Sequence, residues 1–478
     1  MGTNCEKLNK WAILCVQDPL FLESVKIAYV FDNGNQAILV TRDDDVYTIG
    51  SNKYGCSGID TSKCDVICGS QYFTTLRKVD SLCNKQLVSI ASGFGPHVLA
   101  VTKSGKVYSW GYNANNELGH GTNTPNPNPI PTIITKLEQY QVKQVACGHY
   151  HSVALTNDGK VYSWGYNNHG EVGNGSTTTC ETPYHNQLNG STKCGTITCT
   201  RYSSFAVTET GQVFSWGFNG SGSLGIGSTI AELIPKNVTS LQNQVITKII
   251  GGSYHVLALT KDGKLYSWGH NEYGQLGIGT TTCSTVPVQV GNHLGRFVDI
   301  AATISNDGAH SAACTSNESI YVWGRYLDKA LCLPVLSSYK RLDDVFTTTS
   351  APAAMWRPLV LESNVVEPKS ATSSVMPPAK EYKVLLEYYP KMISLISNID
   401  RLLPHITKES IIDFDEEKDI LSKTKASDKV KELLGHISSH LKGGYVHSFH
   451  LLLDIMESHG TLATRELATD MKNSVKFC

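Results

Sequence analysis

Long apolar runs are missing from this chain. No segment approaches the roughly 20 consecutive apolar residues that a membrane-spanning helix needs, which speaks against a helical membrane protein. A secretory leader is missing too: the short apolar run from Trp11 to Val16 follows Glu6 and has no small-residue cleavage site, so the cytoplasm or nucleus is the expected compartment. Charge of one sign is also lacking. The formal net charge is −1 and charged residues make up 17% of the chain, so no global field draws it to nucleic acid.

Disulfide, metal and phosphate frameworks are equally absent. The 14 cysteines are scattered along a long chain, which predicts reduced buried thiols rather than a disulfide scaffold. Cys64 with Cys68 and Cys194 with Cys199 come nearest to ligand spacing, yet neither has a second His/Cys pair suitably placed for zinc. Sequons such as Asn189-Gly190-Ser191 carry no glycan in a chain expected outside the secretory route. No Gly-x-x-x-x-Gly-Lys-(Ser/Thr) element opens a helix, so the glycines are not a phosphate cradle. The expectation is a protein with no catalytic residue, no cofactor and no metal.

What the chain has is glycine, 41 residues of it, arranged in a repeat. The block Gly-(Lys/Gln)-(Val/Leu)-(Tyr/Phe)-Ser-Trp-Gly-(aromatic or His)-Asn appears around Trp110, Trp164, Trp216 and Trp268. A relaxed copy surrounds Trp323, and an earlier one places Ile49 where the tryptophan would stand. Within each unit an apolar run such as Val142 to Cys147 is followed by a Gly-rich turn, then a run such as His151 to Thr156. A tight Asn157-Asp158-Gly159 turn leads on to Lys160–Gly165. Asp-Gly and Ser-Gly pairs between alternating apolar residues are hairpin signals. The unit is therefore a small antiparallel sheet, and radial packing of such sheets gives a β-propeller; a linear solenoid is the alternative.

The tails Asn113-x-x-x-Glu117-Leu118-Gly119-x-Gly121 and Asn271 to Gly279, with Gly148-His149-Tyr150-His151 and Gly252-Ser253-Tyr254-His255, resemble the repeat of the regulator of chromosome condensation family. Six copies span residues 27 to 335, and Asp343 to Phe346 with Met355 to Arg357 suggests a partial seventh, hence six or seven blades. The Ala353 to Arg357 ending resembles members that fuse this propeller to a BTB domain, although no BTB domain is expected from this sequence. The recurring His97, His151, His255 and His310 are read as structural hydrogen-bonding groups, and the motif tryptophans as blade packing. The fourth repeat has Ser203 at the histidine place and lacks the usual glycine, which predicts a locally reshaped hairpin.

Beyond the propeller the composition changes. Residues 1–26 read as a lead-in, 27–361 as the propeller, 362–379 as a Pro/Ser/Thr-rich tether, 380–472 as a helical bundle and 473–478 as a tail. Val430, Leu433, Leu434, Ile437 and Leu441 fall on one helical face, and Val446, Phe449, Leu452, Leu453 and Met456 form a second stripe. About six short helices would pack as an all-α bundle. Asp419 to Leu434 and Phe449 to Gly460 resemble helices of caspase recruitment domains, a death-fold family. That resemblance implies homotypic docking through opposite charges, here Asp413, Asp415, Glu416, Glu417 and Asp419 against Arg401, Lys429 and Lys431.

Together these readings predict an intracellular adaptor acting in apoptotic or innate-immune signalling. Its bundle would bind a recruitment-domain protein or itself, and its propeller an unknown second protein. The propeller resemblance leaves two alternatives: guanine-nucleotide exchange on a small GTPase, and substrate recruitment to a ubiquitin ligase.

Overall fold

The computed structural model describes residues 4–346 with breaks at 12, 16, 33, 53, 68–69, 94–95, 122–125, 189–191, 304–308 and 327–328. It also describes 359–360, 433, 453, 456, 468–469 and 471–472. Two compact units are formed, one of Met1–Cys64 with Thr75–Ser363 and one of Asp65–Thr74 with Asn364–Cys478.

Unit one is built of repeated sheets. Blade two comprises Leu87–Ser92, His97–Thr102, Val107–Gly111 and Asn128–Ile133; blade three Val142–Cys147, His151–Thr156, Val161–Gly165 and Cys180–Asn186. Blade four comprises Cys194–Cys199, Ser203–Thr208, Val213–Gly217 and Glu232–Asn237; blade five Ile246–Gly251, His255–Thr260, Leu265–Gly269 and Ser284–Val290. Blade six holds Phe297–Ala302, His310–Thr315, Ile320–Tyr326 and Lys329–Leu336. All are antiparallel meanders, and the first strand of each carries a bulge near its start, as between Val142 and Gln144. That extra residue adds local twist. Successive first strands line a central channel that includes Gln144, Thr196, Lys248 and the Tyr29 ring. This is the propeller that the repeat predicted.

Blade one shows how the ring closes. Val25–Phe31, Gln36–Thr41 and Val46–Ser51 pair in order, and the short strand Leu359–Val360 adds antiparallel to Ala28 and Ile27. A strand more than 300 positions downstream is thus zipped onto the first one. Ala301, Ala312, Ile320 and Val322 of blade six share a core with Val25, Ala28 and Val30 of blade one. Of the expected partial seventh repeat, Leu342–Phe346 is a 3-10 helix with Val345 in that shared core, while Met355 to Arg357 lie outside the described residues; no seventh sheet forms among the described ones. The lead-in is also structural. Helices Asn4–Leu8 and Pro19–Ser24 bury Leu8 and Leu22 there, with Trp11 and Leu14.

The tryptophans explain the repeat's spacing. Each motif indole is fully buried and donates its Nε1–H to a carbonyl of the preceding repeat. Trp110 reaches Cys56 O at 2.8 Å, Trp164 Glu117 O at 2.7 Å and Trp216 Glu171 O at 2.9 Å. Trp268 reaches Ser223 O at 2.8 Å and Trp323 Gln275 O at 2.9 Å. A buried indole needs such an acceptor. The motif asparagines fold the loop that offers the acceptor carbonyl: Asn219 Oδ1 accepts from Leu224 N while its Nδ2 donates to Ser228 O and Ile230 O. The fourth hairpin is not reshaped. Ser203 pairs with Gly217 as His151 pairs with Gly165, because Ser203 Oγ satisfies itself on Phe218 O at 2.7 Å.

In unit two, Asp65–Ile67 pairs with Ser70–Tyr72. Leu433, Leu453, Met456, Ala468 and Met471 are helical and buried. The remainder of the expected bundle at 380–472 lies outside the described residues. Among the described residues no helix is long and apolar enough to cross a membrane.

Candidate protein-interaction face

Two loops per blade emerge at one end of the sheets. The motif glycine after each tryptophan pairs with the first residue of the second strand, so the next backbone N–H returns to the loop between strands one and two. Tyr166 N donates to Tyr150 O at 2.8 Å, Phe218 N to Tyr202 O at 2.9 Å and His270 N to Tyr254 O at 2.9 Å. Neighbouring loops are tied as well, His149 N to Arg201 O at 2.8 Å and Arg201 N to Ser253 O at 3.0 Å. Side chains at both positions are therefore displayed side by side on fixed backbone.

Most of those side chains are aromatic. Ring centroids run from Tyr54 to Tyr112 (5.7 Å), Tyr112 to Tyr150 (5.6 Å), Tyr150 to Tyr166 (6.3 Å) and Tyr166 to Tyr202 (6.1 Å). The run continues to Tyr254 (6.4 Å) and His270 (6.3 Å), so it crosses blades one to five. Most of these rings are half-exposed, and Tyr54 is 36% exposed. Arg201 sits in their midst, its guanidinium 5.4 Å from the Tyr202 centroid and 5.8 Å from Tyr254. Arg325 lies 5.4 Å over Tyr273.

Buried polar groups set the electrostatics below the rings. His149 stacks on Tyr150 at 3.8 Å, and its Nδ1 takes the Arg201 Nε–H at 3.2 Å and meets the Tyr202 hydroxyl at 2.8 Å. Burial, aided by the Arg201 charge, lowers its pKa to about 4, so the imidazole is a neutral acceptor. Glu117 is fully buried and accepts from Asn115 N at 2.9 Å; burial lifts its carboxyl to about 7. Glu171 is likewise raised by burial and accepts from His169 N at 2.8 Å. In blades four and five these places are neutral, Ser223 and Gln275.

The motif histidines serve packing. His97 Nε2 meets Ser152 Oγ at 3.0 Å, His151 meets Ser204 at 3.0 Å and His255 meets Ser311 at 2.8 Å, each across to the next blade. Burial drives all three to about 3, so they stay uncharged. Among the described residues no group of three or more His, Cys, Asp or Glu could hold a metal ion.

The charge clusters predicted from sequence, Arg401, Asp413, Asp415, Glu416, Glu417, Asp419, Lys429 and Lys431, lie outside the described residues. The aromatic run was not anticipated as a site. Its signal was present, since the position after the first four Trp-Gly pairs reads Tyr112, Tyr166, Phe218, His270, but it was taken as repeat grammar. An exposed aromatic at a loop position has no packing reason to recur.

Comparison with known proteins agrees with the fold. The family model described as the RCC1-like domain matches residues 5–352. The ultraviolet-B receptor UVR8 of Arabidopsis thaliana is 32% identical over 345 residues, covering 71% of this chain and 73% of that protein. The human E3 ubiquitin-protein ligase HERC2 is 34% identical over 296 residues, 61% of this chain but only 6% of the ligase. Among solved structures, Saccharomyces cerevisiae Prp20p, studied with its binding to Gsp1p and histones, superposes with a TM-score of 0.54 at 23% identity, covering 64% of this chain and 76% of that one. Human WBSCR16 superposes with a TM-score of 0.55 at 21% identity, covering 64% and 80%. With five four-stranded sheets and one six-stranded sheet built on the same repeat and a family match over most of its length, the chain belongs to the RCC1-like domain family.

Proposed function

We propose that this chain is a non-enzymatic interaction protein whose propeller holds a protein partner on the aromatic face around Arg201. The observation that carries this reading is the tyrosine run across five blades. Tyrosine and arginine are the residues that interfaces concentrate, because they offer large contact area with few rotatable bonds. Protein binding by relatives of the same fold supports it: Prp20p binds Gsp1p and histones.

The C-terminal part gives the finer reading. Residues 380–472 form a caspase-recruitment-domain-like module that docks homotypically, with Asp413, Asp415, Glu416, Glu417 and Asp419 meeting Arg401, Lys429 and Lys431 of another copy. The apolar stripes of the sequence support it, and the helical, buried Leu433, Leu453 and Met456 fall on those stripes. The tether at 362–379 would couple two binding events by raising their effective concentration. The chain then acts as an adaptor in cytoplasm or nucleus.

Quantitative affinity purification of the full-length chain tests the face. The double variant Arg201→Glu, Tyr202→Ala is expected to lose partners by at least about tenfold, the scale of an interface hot spot. Undiminished recovery of the same proteins would refute it. Asp415→Lys or Lys429→Glu should abolish self-association or recruitment-domain capture while leaving propeller partners bound. Accelerated nucleotide release from a small GTPase would replace the adaptor reading with the exchange-factor one.

A further inference from the structure

The end of the propeller opposite the aromatic face has a construction of its own. In each meander the turn between strands two and three and the connection into the next blade both fall there. In every blade the residue after strand two donates its N–H to the residue before strand one. Arg42 reaches Ser24 O at 2.8 Å, Lys103 Gln86 O at 2.8 Å and Asn157 Gln141 O at 2.7 Å. Glu209 reaches Lys193 O at 2.9 Å, Lys261 Val245 O at 2.8 Å and Ser316 Arg296 O at 2.8 Å. The turn glycine then accepts from the first residue of the next blade, as Gly159 O does from Cys194 N at 3.0 Å and Gly263 O from Phe297 N at 2.9 Å. Twelve side chains are thereby set along one belt of fixed backbone.

The belt is basic. Five of its twelve places are cationic, Arg42, Lys103, Lys193, Lys261 and Arg296, and one, Glu209, is acidic. The whole chain carries −1, so the excess is local. All six of these side chains are exposed. Most carboxylates of the adjoining turns are already engaged by lysines: Asp44 by Lys26, Asp45 by Lys78 at 2.8 Å, Asp158 by Lys160 at 2.8 Å and Asp262 by Lys264 at 2.9 Å. Residues 189–191, which precede Lys193 and lie outside the described residues, are uncharged in sequence. Arg296 folds back to donate Nη2–H to Lys261 O at 3.1 Å, which holds two cations side by side. Like charges so placed repel, and an anionic ligand relieves that repulsion.

Valine is exposed among these cations. Val245 of the belt is 47% exposed, and Val88 and Val298, the second residues of their blades' first strands, are 45% and 46% exposed. Charge and apolar contact together select the ligand class. None of the twelve places is aromatic, whereas single-stranded nucleic acid is held by stacking on rings. Five cations interrupted by Glu209 also fall short of the phosphate contacts that bind a duplex. Membrane surfaces are met by Trp, Phe and Leu, longer than valine. A protein segment that alternates carboxylates with apolar side chains satisfies both features.

We propose that this end is a second docking site, at which the basic belt binds an extended acidic segment of a partner protein and the exposed valines meet its apolar side chains. It is separate from the aromatic face and stands independently of it.

The test uses the full-length chain and a fluorescein-labelled peptide of about 12 residues alternating glutamate with valine, long enough at about 3.3 Å per residue to cross more than one blade. Anisotropy titration should saturate, and affinity should fall at least about tenfold as salt rises from about 50 to about 300 mM. A glutamate–serine peptide of the same length should bind about threefold more weakly. Lys103→Glu, Lys261→Glu should weaken the valine peptide at least about tenfold, while Lys103→Arg, Lys261→Arg keeps it bound. Unchanged tryptophan fluorescence and melting show that these variants remain folded. Arg201→Glu, Tyr202→Ala, at the other end, should leave the peptide's affinity within about twofold. A peptide that does not saturate, or that is indifferent to the charge reversal, overturns the site. So does tighter binding of single-stranded DNA or of phosphatidylserine vesicles than of the peptide, or loss of the peptide in the aromatic-face variant.

Discussion

Replacing Gly225 by alanine should destabilise the propeller far more than replacing Gly227, two residues on in the same loop. Both glycines have positive φ, 72° and 81°, so each alanine pays a backbone strain of about 1–2 kcal/mol. Their surroundings differ. A Cβ on Gly225 would lie 2.8 Å from Trp268 Nε1 and 3.0 Å from its Cδ1, whereas one on Gly227 would have only Val286 Cγ1, at 3.8 Å. Trp268 cannot yield, because its indole is fully buried and its N–H is engaged by Ser223 O. Overpacking against so fixed a group adds about 1–3 kcal/mol, so Gly225→Ala is expected to cost about 2–5 kcal/mol and Gly227→Ala about 1–2 kcal/mol. Urea unfolding followed by tryptophan fluorescence reads both, and the difference between them isolates the packing contribution. A Trp268→Leu background should abolish that difference by vacating the space. Equal destabilisation by the two alanines in the wild-type background would refute the view that the repeat's Leu-Gly pair exists to receive the next blade's indole.

Three further outcomes are expected. Burial raises the Glu117 carboxyl to about 7, above its unfolded value, so the folded state binds that proton more tightly and stability falls as pH rises from about 4.5 to 7. Glu117→Gln, which copies Gln275 of blade five, should remove that slope and gain about 1–3 kcal/mol at pH 8 while gaining nothing near pH 4, as read by melting across pH. Ser204→Ala deletes the hydroxyl that donates to Glu171 O and meets His151 Nε2, leaving buried groups unpaired at a cost of about 1–3 kcal/mol in urea unfolding. Tyr29→Phe removes a hydroxyl that donates to Ser92 O and accepts from Ser92 N, both at 2.8 Å, and hydrogen exchange at the Ser92 amide should quicken.

The fold was legible because a propeller repeats its physics. Trp-Gly, the turn glycine and the Asn-to-Gly tail recur in most copies, and a period near 50 residues announces that. Ring closure was not legible. Leu359–Val360 is two residues long, and its pairing with Ile27 and Ala28 depends on proximity that the ring itself creates. Asp343 to Phe346 was read, with Met355 to Arg357, as part of a seventh repeat; the burial of Val345 against blade one follows from closure instead. The aromatic face was hidden for a different reason. A residue that recurs once per repeat looks structural, and only three-dimensional placement separates Trp164, buried against a carbonyl, from Tyr166, two positions on and half-exposed.

Departures from the repeat are consequently the informative positions. Where a blade obeys the rule, histidine meets serine and tryptophan meets carbonyl. Where it does not, the chemistry changes: Glu117 and Glu171 in place of Ser223 or Gln275 put carboxylates beneath tyrosine rings. A core assembled for stability alone would have no reason to keep such groups, because a matched serine or glutamine would satisfy the loop at less desolvation. Their concentration at one end, in the blades that also carry the tyrosine run, is the physical argument for the proposed partner site at this end rather than in the channel or on the outer strands.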